Sequence, residues 1–148
     1  MKKSLAIGLI TVFIAVSLVG CGSNSSNTSS NTSGSSGAYK DGTYKAEQAS
    51  FDAHGYKGQI EITVKDGKIS SVVYNEVDKN GKFKRDDADY ASKMKAKNNI
   101  TPKEVDEKLQ QELVDSQDTS KVDTVAGATE SSKTFVELAN QALKDAKK

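Results

Sequence analysis

The chain has 148 residues, with 21 Lys and Arg against 20 Asp and Glu, one Cys, one His and no Trp. That length suits one ordinary domain, and the balanced charge speaks against a nucleic-acid partner, which calls for a basic excess or patch. One Cys excludes an internal disulfide framework and any cysteine-cluster metal site, leaving chemistry to hydroxyls, carboxylates or a borrowed cofactor.

Residues 1–20 read as a lipoprotein signal peptide. Met1-Lys2-Lys3-Ser4 is basic, and Leu5 to Val19 is a 15-residue uncharged stretch. It is shorter than the roughly 20 residues that span a bilayer, so it fits a signal-peptide core better than a membrane helix. It ends in Leu18-Val19-Gly20-Cys21, which resembles a bacterial lipobox, so Cys21 is the expected lipidated first residue of the mature chain. Gly22 to Gly37 contains nothing but Ser, Asn, Thr and Gly. Such a segment cannot bury apolar surface. It predicts a flexible tether over 21–37, reaching roughly 20–25 Å on average. Removing residues 1–20 takes away Lys2 and Lys3, so no basic excess remains to support the lipid at a membrane.

Residues 38–148 form the domain. Ala38 to Ala49 reads as a short strand entered through Asp41-Gly42. Gln59 to Lys65 alternates, with Ile60, Ile62 and Val64 on one face. Asp66-Gly67 is a two-residue hairpin signal, because both central positions of a type I′ turn need positive φ. Lys68 to Val77 is the return strand, and Asn80-Gly81 supplies the next turn. Thr101-Pro102-Lys103-Glu104 predicts a helix start, with an N-cap, Pro at the first helical position and a Glu completing a capping box. Val105, Leu109 and Leu113 give that helix an apolar stripe to about Asp115. A last helix is predicted from Ser131 or Ser132, one of them its N-cap, with Phe135, Leu138, Ala139, Ala142, Leu143 and Ala146 at helical spacing. A small antiparallel meander followed by C-terminal helices is an α+β domain.

The stretch from Val122 to Ser132 places small residues directly before that last helix. Gly127 permits backbone angles that a Cβ resists, and Ala128 keeps the surroundings open. Thr129 then offers a hydroxyl where unpaired N–H groups favour a phosphate. Read from the residues alone, a capped loop with Ser131 or Ser132 as N-cap is the favoured reading. His54 and the lysines of Lys79–Arg85 and Lys93–Lys97 read as solvated surface. Asp78-x-Asn80-Gly81 does not make a calcium loop, since the EF-hand needs Gly at the sixth position and Glu at the twelfth, and Gly81 and Asp89 do not supply them. Of the five tyrosines, Tyr56 is singled out as a packing partner for an aromatic ligand; strand tyrosines otherwise tend to be core or cross-strand pairs.

Asp123-x-x-Ala126-Gly127-Ala128-Thr129-x-Ser131 resembles the flavinylation motif of the FMN-binding domain family, with Ala126 where Ser or Thr is more usual. Asp41-Gly42-Thr43-Tyr44, Gly55-Tyr56-Lys57-Gly58 and Asp66-Gly67-Lys68-Ile69 are similar to the family's upstream signature. The resemblance implies FMN joined through its phosphate to Thr129 by a flavin transferase that recognises Asp123, Gly127 and Ala128. It is nearest to flavin-bearing surface lipoproteins of Gram-positive bacteria that serve extracellular electron transfer. That implies a carrier rather than a stand-alone enzyme, held at the outer face of the cell membrane and taking electrons from a membrane quinone-linked donor. In the same group the end of the signal peptide can be released as a pheromone, here Phe13–Gly20 (FIAVSLVG). A non-redox lipoprotein that binds a ligand or partner, and a pheromone precursor, are the alternatives.

Overall fold

Asp66 and Gly67 both take positive φ, 53° and 74°, as a tight hairpin between right-twisted strands requires. The computed structural model describes residues 38–148; the signal peptide, Cys21, the tether and the Phe13–Gly20 segment lie outside the described residues. The hairpin joins β2 (Tyr56–Lys65) to β3 (Lys68–Asp78), and β1 (Gly42–Glu47) pairs with the other edge of β2. All pairings are antiparallel, in the order β1-β2-β3. Asp41 steadies the hairpin from outside the sheet, its carboxylate accepting from the N–H groups of Asp66 and Gly67 at 3.0 and 2.7 Å.

The register shifts between Thr63 and Val64, so Val64 faces Ile69 while Thr63 faces Ser71. The extra residue puts Ile69 and Val72 on the same, buried face and leaves Val73 outside. This is how a β-bulge re-aims side chains.

Three helices follow: α1 (Ala88–Asn98), α2 (Pro102–Ser116) and α3 (Thr129–Leu143). The α2 capping box forms as the sequence predicts, with Thr101 Oγ accepting from Glu104 N–H and the Glu104 carboxylate accepting from Thr101 N–H. Ile60, Ile62 and Val64 meet Leu109 and Leu113 of α2 and Phe135, Leu138 and Ala139 of α3 in one apolar layer. Each large side chain there contributes about 1.5–3 kcal/mol by leaving water. The result is the expected α+β meander with its helices packed against it.

The free edge of β3 is covered by side chains of the α2 segment. Gln117 Oε1 accepts from Ile69 N–H at 2.7 Å, and its Nε2 donates to Ile69 O at 2.8 Å, so one amide replaces a strand residue. Gln110 Oε1 accepts from Tyr74 N–H at 2.9 Å. Covering an edge in this way removes a template for aggregation. The two ends of the described domain also meet, through a bridge between Tyr39 and Lys147. No helix among the described residues is long and apolar enough to cross a membrane.

Candidate functional site

The last helix starts earlier than its sequence suggests. Gly127 has φ 80°, Ala128 is the N-cap, and Thr129 is the first helical residue. Ser131 and Ser132, expected as caps, lie buried inside the first turn. Ser131 Oγ donates to Glu76 Oε2 at 2.9 Å, while Ser132 Oγ donates to Ala128 O and accepts from Val125 N–H. The serine hydroxyls are thus committed to the core and the preceding loop. With Ala at the cap, no side chain caps α3, in contrast to Asp87 on α1 and Thr101 on α2. The first-turn N–H groups of α3 therefore keep their affinity for an anion.

Gly127 is irreplaceable on two counts. Its φ is left-handed, and a Cβ there would lie 2.6 Å from Asn98 Cβ. Asn98, at the end of α1, also donates from Nδ2 to Gly127 O at 3.2 Å. The loop before Thr129 is thereby fixed against α1.

Thr129 and this loop form one wall of a cleft of about 490 Å³, within the roughly 300–1,000 Å³ typical of small-molecule sites. Gly127, Ala128, Thr129 and Ser131 line one side; Asp52, His54, Lys84, Tyr90, Lys93 and Lys97 bring the other groups. Thr129 is exposed, so its hydroxyl is accessible. His54 sits exposed at the cleft and Lys93 and Lys97 are exposed on α1, as the sequence suggests. A larger groove, about 630 Å³, runs over the strands between Lys45, Glu47, Gln59, Glu61, Val73 and Asn75. It holds none of the Asp123–Ser131 motif and is crossed by the Lys45–Glu61 ion pair at 2.6 Å.

Two sequence expectations need correction here. Lys84 is not a solvated lysine: it is 5 % exposed. Its Nζ lies 3.0 Å from Glu76 Oε2 and 5.3 and 5.0 Å from the ring centres of Tyr56 and Tyr90. Burial pulls its pKa down, but the Glu76 carboxylate more than offsets this and holds the ammonium above the ordinary lysine value. Tyr56, singled out for the ligand, instead supports Lys84, packs edge-on against Tyr90 at 5.7 Å, and donates to Asp87 at 3.3 Å. Tyr90 is the tyrosine that lines the cleft. Asp123 lies apart from that lining, its carboxylate exposed and its N–H donating to Glu112 at 3.0 Å.

Behind the cleft wall, Asp106 of α2 is 2 % exposed. The charges of Glu76 of β3, Lys84 and its helix neighbour Glu107 reach it, as does that of Arg85, whose Nε is 3.8 Å away. Burial pushes its carboxyl up to about 7, with Glu76 adding to the rise and Arg85 and Lys84 opposing it. The folded state therefore holds this proton at pH values where the unfolded chain, with an ordinary value of 3.8, has lost it. Stability from this group is complete below the unfolded value and lost as pH climbs to the folded one, by about 1.4 kcal/mol per pH unit at most. Asp106→Asn is expected to flatten that slope in urea titrations run between the two values. An unaltered slope would assign it to another group.

An open hydroxyl at an uncapped helix start, in a cleft whose three lysines outnumber the carboxylates of Asp52 and Glu130, suits a cofactor that carries a phosphate. The chain belongs to the FMN-binding domain family, whose model matches residues 55–144. It is 38 % identical over 107 residues to the 15 kDa lipoprotein of Treponema pallidum (strain Nichols), covering 72 % of this chain and 76 % of that one. A crystal structure of a Clostridium perfringens protein is 41 % identical and superposes with a TM-score of 0.70, covering 73 % of this chain and 88 % of that one. A solution structure from Clostridium thermocellum is 35 % identical with a TM-score of 0.50, over 72 % and 91 % of the two chains. The cleft fits FMN in donor chemistry. Lys93 and Lys97 and the first turn of α3 suit the phosphate, and Tyr90 offers an aromatic surface for the ring.

Proposed function

We propose that this protein is a lipid-anchored, extracytoplasmic electron carrier with FMN attached to Thr129 as a phosphoester. The observation that carries the reading is Thr129 itself: an exposed hydroxyl on the first residue of an uncapped helix, inside a cleft, at the motif position. A flavin transferase would form the bond from Thr129 Oγ to the FMN phosphorus while a P–O bond of the flavin donor breaks, the displaced oxygen group leaving with the hydroxyl proton, so that the chain gains FMN less one water. Asp123, on the exposed stretch before the loop, is then a feature the transferase reads rather than a group that touches the bound flavin. The flavin supplies the redox chemistry; the chain holds it, surrounds it with charge and limits its escape.

The Leu18–Cys21 motif and the lipoprotein name of the Treponema pallidum relative support anchoring through Cys21. A covalent bond suits this location, since a dissociated flavin outside the cell is lost by diffusion. A quinone-linked membrane donor would deliver electrons within reach of the tether, and outward acceptors would remove them.

The test is the intact mass of the denatured protein after production with a flavin transferase and export. The expected result is one FMN less water on the native chain, retained in Thr129→Ser and absent from Thr129→Ala. An unmodified native mass, with a control substrate modified by the same transferase, overturns the carrier reading and favours a ligand-binding module.

A further inference from the structure

The cleft contains three lysines, and they are not equivalent. Lys93 and Lys97 sit on the exposed face of α1, where side chains move and salt screens their charge. Lys84 enters from the short turn after β3 and is held by three neighbours. Glu76 holds its ammonium at 3.0 Å, and the rings of Tyr56 and Tyr90 lie against it. Glu76 does not line the cleft and is itself tied to the first turn of α3 through Ser131 Oγ. The pair is therefore an oriented dipole, with its positive end at the cleft wall and its negative end behind it.

We propose that Lys84 sets the reduction potential of the flavin carried at Thr129, as a positioning charge that offsets the negative charge gained on reduction. The proposal rests on the attachment reading above. Away from bulk water a fixed charge acts over several ångströms with less attenuation than in solvent, and an oriented group costs no reorganisation when the ligand's charge changes. Ser131 adds the link to the attachment point, since the helix turn that carries Thr129 also anchors Glu76. A strut with no electrostatic role would leave the potential insensitive to the sign of the charge removed.

The experiment uses the full chain carrying its flavin, with the adduct first verified by mass. Dithionite supplies two electrons and is oxidised to sulfite. At mildly alkaline pH one proton from water accompanies them, leaving one net negative charge on the ring. The potential is read against a reference dye. Lys84→Met combined with Glu76→Gln removes both charges and leaves no unpaired buried carboxylate. It is expected to shift the equilibrium at least tenfold toward the oxidised form, about 30 mV for a two-electron couple. Glu76→Gln alone is expected to shift it toward the reduced form, and Lys84→Arg to stay within about threefold of the native value. These differences should persist in high salt, because the pair is buried. An unchanged potential in the double variant, or shifts of the same sign in the double and single variants, overturns the proposal. If the double variant does not fold, Lys84→Gln, whose amide can donate to Glu76, replaces it with the same sign required. Absence of an adduct on the native chain would instead refute the attachment, and this proposal with it.

Discussion

Phe135→Ala is expected to lower the unfolding free energy by about 3–5 kcal/mol, the usual cost of emptying a large buried aromatic site. Phe135 is 0 % exposed and meets Tyr74 edge-on at 5.2 Å, where α3 lies across the sheet. The loss combines the transfer free energy of the ring, its contact with Tyr74 and the cavity left behind. Collapse around that cavity is limited, because Tyr74 is fully buried and Leu138 and Ala139 of the same helix are already packed. Phe135→Leu retains most of the volume and should cost much less. Urea denaturation followed by circular dichroism gives the comparison. A loss below about 1 kcal/mol would mean that α3 is not a fixed part of the core. The effect extends to the cleft, since the turn that presents Thr129 is the start of this helix.

The features legible in the sequence were those governed by neighbouring residues. Asp66-Gly67 demands positive φ at both positions, and Thr101 with Glu104 completes its own box, so the hairpin and α2 could be read directly. The FMN-binding family and the Gly127–Thr129 turn were legible as a motif. What escaped depends on distant partners. α1 buries none of its residues, so it has no apolar stripe to show a period, and its role is to bring Asn98 and Tyr90 to the cleft. Ser131 looks like a cap because Ser usually is one; only β3, placing Glu76 beside it, gives its hydroxyl another use. Lys84 sits among charged residues in Lys79–Arg85, a run that ordinarily marks solvent. Its burial follows from the meeting of β3, Tyr56 and Tyr90, which no local pattern encodes.

Lys84→Met by itself is expected to destabilise the fold by about 3–5 kcal/mol, because it leaves the Glu76 carboxylate buried without its cation. Both side chains are nearly inaccessible, 6 % and 7 % exposed, so water cannot replace the lost partner without opening the structure. The combined Lys84→Met and Glu76→Gln change should cost far less, since a buried ion pair repays little beyond its own desolvation. Ser131 can still hydrogen-bond the amide. A double-mutant cycle in urea should therefore give strong coupling, with the pair of changes milder than Lys84→Met alone. Equal losses in the single and double variants would mean that Lys84 stabilises through its methylene stem and the tyrosine rings rather than through charge. The predicted result would separate the pair's two effects. If an uncharged replacement folds nearly as well, stability does not account for a charge held at the cleft wall, and the potential measurement then tests the proposed field on the flavin directly. Measured together, folding free energy and flavin potential then divide what Lys84 does for the fold from what it does for the cofactor.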